Sequence, residues 1–316
     1  MDSGMEGVTM VIGDAACEAL PAAAAQSSYS GVAPRLLLSL EPRVLRSVVF
    51  ATSPQYYSRK FLRVWQRPRS PTGFLMLARS AWAGSQRFGA AVWSGDTQSN
   101  FANLQEQFRA GLNMAMSGFS YWTTDIGGYS GGDIDDPVFR ELIVRWFQWG
   151  AFCPLFRLHG SRSGGPSQEG GDARCGNTNA ANEIWHFGTL AEASIGRVMA
   201  LREQLRPYVA RRFAEVAATG APVMRPMFFD FWTQPSAFDA DDQMMFGPDY
   251  MVAPQLLQNT TRRAVWMPRL PATHAWKNVF TGVVTNTSAG AVNITEATPL
   301  QGEGFGTFPL YYREPL

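Results

Sequence analysis

Two carboxylates stand in matching surroundings. Asp96 in "AAVWSGDTQSNF" and Asp125 in "FSYWTTDIGGYSGG" each close an apolar run. Two acids brought to one place can serve general acid–base chemistry. Trp93 lies three residues before Asp96, and apolar crowding disfavours the charged carboxylate, raising its pKa as a proton donor requires. An aspartate after a strand also works as an N-cap or turn residue, so neither acid is diagnostic alone. Arg79 and Arg87 flank "SAWAGSQ" and can hold carboxylates or hydroxyls; a structural role is the commoner one for loop arginines. His159 closes "LFRLHG", where a histidine satisfied inside the fold is the plain alternative. Trp82, Trp93, Trp122 and Tyr129 are interspersed with these acids, and aromatic faces beside carboxylates suit sugar rings.

The elements that must position these groups begin at about Gly73. "FLMLARS" reads as a fully apolar strand of the kind covered on both faces. Phe101, Leu104, Phe108, Leu112 and Met116 follow helical spacing, and Gly118 ends the run. "FSYWTTD" is a second strand. Asp136 as N-cap and Pro137 in the first turn open a helix with Phe139, Leu142, Ile143, Trp146 and Phe147 on its apolar face. Gly150 is expected to stop it in the left-handed conformation. "AFCPLFRLH" reads as a third strand and "PVMRPMFF" as a fourth, separated by a long helix to Gly220 kinked at Pro207. Alternating strands and helices predict an α/β fold with a parallel sheet, and in barrels of this type chemistry sits at the C-terminal strand ends. After about Trp232, "YMVAPQL", "RRAVWMP", "AWKNVF" and "TFPLYYR" predict a small antiparallel β-sandwich. Residues 1–45 are Ala- and Ser-rich and read as poorly structured; "VLRSVVFA" and "QYYSRKFLRVWQR" are a candidate strand and helix. The expected organisation is therefore 1–45, 46–232 and 233–316.

Composition narrows the function classes. The 316 residues are 46% hydrophobic and 17% charged with net charge +1, enough for a substantial core and no electrostatic case for nucleic acid. No apolar run approaches the roughly 18–20 residues of a membrane span. Asp2 and Glu6 stand where a signal peptide carries positive charge. Three widely spaced cysteines and three histidines suggest neither a disulfide framework nor a metal site.

Five stretches, "RSAWAGSQRFGAAVWSGDTQSNFANL", "GFSYWTTDIGGY", "RWFQWGAFCPLFRLHG", "EIWHFG" and "PVMRPMFFDF…DDQMMFGPDYMVAPQL", resemble in order and spacing the second half of glycoside hydrolase family 31, the α-glucosidases and α-xylosidases. The resemblance implies a partial (β/α)₈ TIM barrel, about strands five to eight, followed by the β-sandwich. It implies Asp96 as general acid/base, Arg87, Asp125 and His159 as sugar-hydroxyl ligands, and Arg79, Trp93 and Tyr129 as residues lining or buttressing the same subsite. It further implies α-linked oligosaccharides or glycosides as substrates, a retaining mechanism and no cofactor; the family also holds lyases and transglycosidases. The first half of such a barrel supplies the nucleophile, an aspartate in a "D-x-x-E"-type segment. Upstream of Arg79 the acids are Asp2, Glu6, Asp14, Glu18 and Glu41, none in that context. Each strand–helix–strand unit needs roughly 30 residues, so the first half does not fit before Gly73. The sequence therefore reads as a truncated family 31 enzyme lacking its N-terminal half, with a non-catalytic carbohydrate-binding remnant or an inactive fragment as the alternative.

Overall fold

The computed structural model describes residues 76–79, 81, 85–88, 90–164 and 181–316. The 1–45 segment, "VLRSVVFA", "QYYSRKFLRVWQR" and Trp82 lie outside the described residues. The chain divides into two compact units that part between Val92 and Trp93.

In the first unit β1 (Met76–Ala78) runs parallel to the start of β2 (Ala90–Trp93), with Met76 opposite Ala90 and Ala78 opposite Val92. Ala90, Ala91 and Val92 are all buried, which is why this strand reads as an unbroken apolar run rather than an alternation.

The second unit opens with α1 (Phe101–Met116). Asn100 caps it, its side-chain oxygen accepting from the Asn103 amide at 2.8 Å, and Phe101, Leu104, Phe108 and Leu112 form the buried stripe. Gly118 ends it at φ +87°. After β3 (Trp122–Thr123) and β4 (Gly132–Asp133), α2 (Pro137–Gly150) starts as expected, the Asp136 carboxylate accepting from the Val138 amide at 2.8 Å. Trp146 and Trp149 are fully buried on it. Gly150 differs from expectation: it is the last helical residue, not a left-handed stop. A Cβ there would lie 2.6 Å from Cδ1 of Ile126, so the glycine permits close packing against the residue that follows Asp125.

The third expected strand is irregular. Pro154 has no amide to offer a ladder, and "AFCPLFRLH" is held by single bonds, Leu155 N to Trp122 O at 3.3 Å and Ile126 N to Arg157 O at 3.3 Å. β5 (Arg162–Ser163) follows and pairs in parallel with β4. The long helix is two: α3 (Thr189–Gln204) and α4 (Arg206–Thr219), with Pro207 in the first turn of the second, where its missing N–H costs nothing.

The fourth expected strand belongs elsewhere. β6 (Met224–Pro226) pairs antiparallel with β7 (Met244–Phe246) and forms the edge of the C-terminal sheet, while α5 (Met227–Phe231) takes up the rest of "PVMRPMFF". That sheet also contains β8 (Tyr250–Val252), β10 (His274–Asn278), β11 (Val284–Thr285) and β13 (Leu310–Pro315), in the order β11-β10-β13-β8-β7-β6. Between them in sequence, β9 (Arg262–Met267) and β12 (Val292–Ala297) make a separate antiparallel ribbon. Val265 and Met267 from the ribbon share one core with Met245, Met251, Trp276 and Tyr311 from the large sheet. Burying each such side chain stabilises by about 1.5–3 kcal/mol. The domain docks on α2 through Arg145, which donates to Thr298 O at 2.8 Å, and Gln148, which donates to Phe305 O at 2.8 Å.

Candidate active site

Three loops of the second unit carry the candidate groups, and backbone hydrogen bonds stitch them together. The Asp96 loop meets the Asp125 loop where Ser94 N donates to Thr123 O (3.1 Å), Tyr129 N to Thr97 O (2.7 Å) and Ser99 N to Ser130 O (2.7 Å). The Asp125 loop meets the His159 loop through Ile126 N to Arg157 O and Ser161 N to Tyr129 O (2.6 Å). Gly128 makes the first junction possible. At φ +76°, its Cβ would stand 2.7 Å from Ser99 Cα and 2.8 Å from the Gln98 carbonyl.

Asp125 is completely buried. Its Oδ1 accepts from Nη2 of Arg157, while Oδ2 is inaccessible to solvent and has no hydrogen-bond partner. Burial pushes the carboxyl up to about 6; the Arg157 charge opposes this, the Asp96 charge adds to it, and Arg162 opposes it weakly. Desolvation thus outweighs the ion pair, as expected when one carboxylate oxygen is left unsatisfied. That the Asp96 charge raises the Asp125 carboxyl puts Asp96 within electrostatic reach of Asp125.

Asp96 itself is exposed rather than packed in apolar surface. The carboxyl withdrawn from water is Asp125. Tyr129 and His159 are both partly buried, and their rings lie 5.6 Å apart at 36°. Trp93 is partly buried at the end of β2. Arg79 is exposed just past β1, and Arg87 lies in the 3₁₀ turn Ser85–Phe88; both belong to the first unit. The second unit alone therefore brings together Asp96, Asp125, Tyr129 and His159. A cleft of about 520 Å³ lies in the C-terminal domain, lined by Asp230, Gln234, Arg269 and Arg313 among others, and shares no residue with these loops. Among the described residues no group of His, Cys, Asp and Glu is arranged to hold a metal, and no helix is long and apolar enough to cross a membrane.

The family model for the glycosyl hydrolase family 31 TIM-barrel domain matches residues 42–211, more than half of the chain, and that for the family's C-terminal domain matches 220–315. The chain belongs to glycosyl hydrolase family 31. Among curated family 31 proteins it is 36% identical over 217 residues to an alpha-xylosidase of Saccharolobus solfataricus, covering 69% of this chain and 27% of that one. It is 35% identical over 250 residues to alpha-xylosidase A of Aspergillus niger, covering 71% and 32%. A crystal structure of a family 31 α-xylosidase from a soil metagenome, complexed with xylose, superposes with TM-score 0.74 at 44% identity, over 87% of this chain and 39% of that one. The chain thus spans about a third or less of the curated relatives it matches. The fold is a family 31 TIM-barrel domain followed by a C-terminal domain with an antiparallel sheet.

Two residues that bond to these loops, Arg157 and Arg162, escaped the sequence reading. Arg157 stands two residues before His159 in "LFRLHGSR", and the usable signal was that a carboxylate in an apolar setting requires a cation from a neighbouring strand. Arg162 had no signal of its own; three of its five acceptors are backbone carbonyls, and the other two are the side chains of Ser99 and Asn182, distant in sequence.

Proposed function

We propose that this chain carries the acid/base side of an active site for α-xylosides or α-glucosides, on what corresponds to about strands five to eight of the barrel. Asp96 is the proton donor and acceptor. Arg87, Asp125 and His159 hold sugar hydroxyls, and Arg79, Trp93 and Tyr129 line the same subsite. The observation that supports this most is the joining of the Asp96, Asp125 and His159 loops by one set of backbone bonds, with the Asp96 charge felt at Asp125. Asp96 is open to solvent, as a group exchanging protons with a leaving oxygen and then with water must be. In the retaining mechanism a second carboxylate attacks the anomeric carbon from about 5–5.5 Å away. No acid of this sequence is assigned that role. The likeness to a xylose-complexed α-xylosidase at 44% identity supports xylosides first.

Because no acid of this sequence is assigned as nucleophile, a second reading is sugar binding without turnover. Loss of one member of a catalytic unit typically costs several orders of magnitude in rate. Two measurements separate the readings: calorimetric titration with xylose, and release of 4-nitrophenol from its α-xyloside and α-glucoside. Saturable xylose binding that Arg87→Ala removes, with release above an Asp96→Asn control, supports the hydrolase. The same binding with release equal to that control supports the second reading. Absence of saturable binding, or heats unchanged by Arg87→Ala, overturns both.

A further inference from the structure

We propose that Arg162 is a positioning residue that fixes the Asp96, Asp125 and His159 loops relative to one another. Its guanidinium is buried at the start of β5, and its donors fan out to all three loops. Nη1 donates to Gly128 O at 2.8 Å and to Ser99 Oγ at 3.3 Å. Nη2 donates to Ile126 O and to His159 O, both at 3.3 Å, and Nε donates to Asn182 Oδ1 at 2.8 Å. The acceptors sit close to the functional groups along the chain. Ser99 is three residues past Asp96, Ile126 directly follows Asp125, Gly128 directly precedes Tyr129, and His159 offers its own carbonyl.

The surroundings are shaped to admit this group. Gly127 and Gly160 both have positive φ, and a Cβ at either would come within 2.8 Å of a guanidinium nitrogen. The ring of Phe139 from α2 lies 4.9 Å below the guanidinium carbon, referring the fork to a rigid helix. Burial pushes the guanidinium down to about 10, so the fold maintains a desolvated cation here. A planar fork with five donors can address three loops from one point; an ammonium cannot span them.

The inference rests on the proposed active-site reading for its purpose, but its test does not. In the full chain, Arg162→Lys and Arg162→Gln are compared with wild type by amide hydrogen exchange, with the β9–β12 ribbon as internal reference. The reporters are the amides that cross the loops: Ser99, Ile126, Tyr129, Ser130 and Ser161. In Arg162→Gln all five are expected to exchange about tenfold faster, the equivalent of one net hydrogen bond lost, while the ribbon is unchanged. Arg162→Lys is expected to restore protection in at most one loop. Ser99→Ala, which deletes one acceptor and leaves the guanidinium in place, is expected to free the Asp96 loop alone and keeps the test decisive if the Arg162 variants fail to fold. Faster exchange confined to Ser161, or spread equally over the ribbon, overturns the proposal. So does a Ser99→Ala protein with an unaltered Asp96 loop. Xylose titrated in parallel is expected to bind at least tenfold more weakly to Arg162→Lys. If wild type binds no xylose, the active-site reading fails while the exchange data still decide the role of Arg162.

Discussion

Asp125 offers a direct test of which force governs this site. Its carboxyl titrates near 6 in the folded protein against 3.8 when unhindered, because burial outweighs the charge of Arg157. The folded state therefore holds the proton more tightly than the unfolded chain. The resulting stability is fully present below about pH 3.8 and is lost as pH rises through about 6. The whole interval corresponds to about 3 kcal/mol, and the part between pH 4.5 and 7 to about 2 kcal/mol. Asp125→Asn has no proton to lose, keeps nearly the same volume and leaves every other titrating group in place. The difference in unfolding free energy between wild type and variant isolates the Asp125 contribution. That difference is expected to shrink, in wild type's disfavour, by about 2 kcal/mol between pH 4.5 and 7. Urea unfolding followed by tryptophan fluorescence at the two pH values measures it. If the Arg157 pair governed instead, the carboxyl would sit below its unfolded value and the difference would grow with pH. A constant or growing difference refutes the reasoning.

Two further outcomes follow from the packing. Gly128→Ala combines a strained positive φ with a Cβ 2.7–2.8 Å from the backbone of Gln98 and Ser99, neither of which is a flexible side-chain tip. It is expected to cost about 2–4 kcal/mol and to abolish xylose binding; a urea midpoint like that of wild type would show that the two loops are not in contact. Arg145→Met leaves the carbonyls of Thr298 and Pro299 without their buried donor and is expected to cost about 2–4 kcal/mol. Limited proteolysis should then cut first near residues 298–307, and protection there equal to wild type would refute the docking role.

Periodic elements were legible because their partners are apolar and their ends are chemically marked. α1 and α2 carry buried stripes at helical spacing and the caps Asn100 and Asp136, so their existence and starts follow from local rules. β8 and β9 lie inside two of the four segments read as sandwich strands, and β10 and β13 overlap the other two, since turn residues punctuate them. Short apolar runs were harder. "PVMRPMFF" has the composition of a barrel strand, but nothing local says that Met224 will face Phe246 in an antiparallel pair. Gly150 has the composition of a helix stop, yet its reason for being glycine is Ile126, twenty-four residues away. Asp96, Asp125, Tyr129 and His159 could be found because their residue types advertise chemistry. The identity of the buried acid could not be found, because burial is a property of the assembled loops: Asp96, beside Trp93, is exposed, and Asp125 is enclosed.

The regular pairing around the site is scant: β3, β4 and β5 have two residues each, and "AFCPLFRLH" forms no ladder. Sheets this short leave carbonyls that no neighbouring strand amide takes, and a buried carbonyl without a donor is costly. Arginine supplies those donors. Arg202 donates to Ala151, Cys153 and Pro154 along the irregular third segment, at 2.7–3.0 Å. Arg162 takes the carbonyls of Ile126, Gly128 and His159, and Arg145 takes Thr298 and Pro299. Burial draws all three guanidinium groups down to about 10, the mark of cations removed from water. A hydrogen bond from a charged donor contributes about 1.5–3 kcal/mol, roughly twice a neutral one, which offsets part of that desolvation. Strand pairing would force neighbouring loops into one common pleat, whereas a guanidinium accepts whatever directions its carbonyls present. The irregular loops can therefore aim Asp96, Asp125 and His159 independently and still be held.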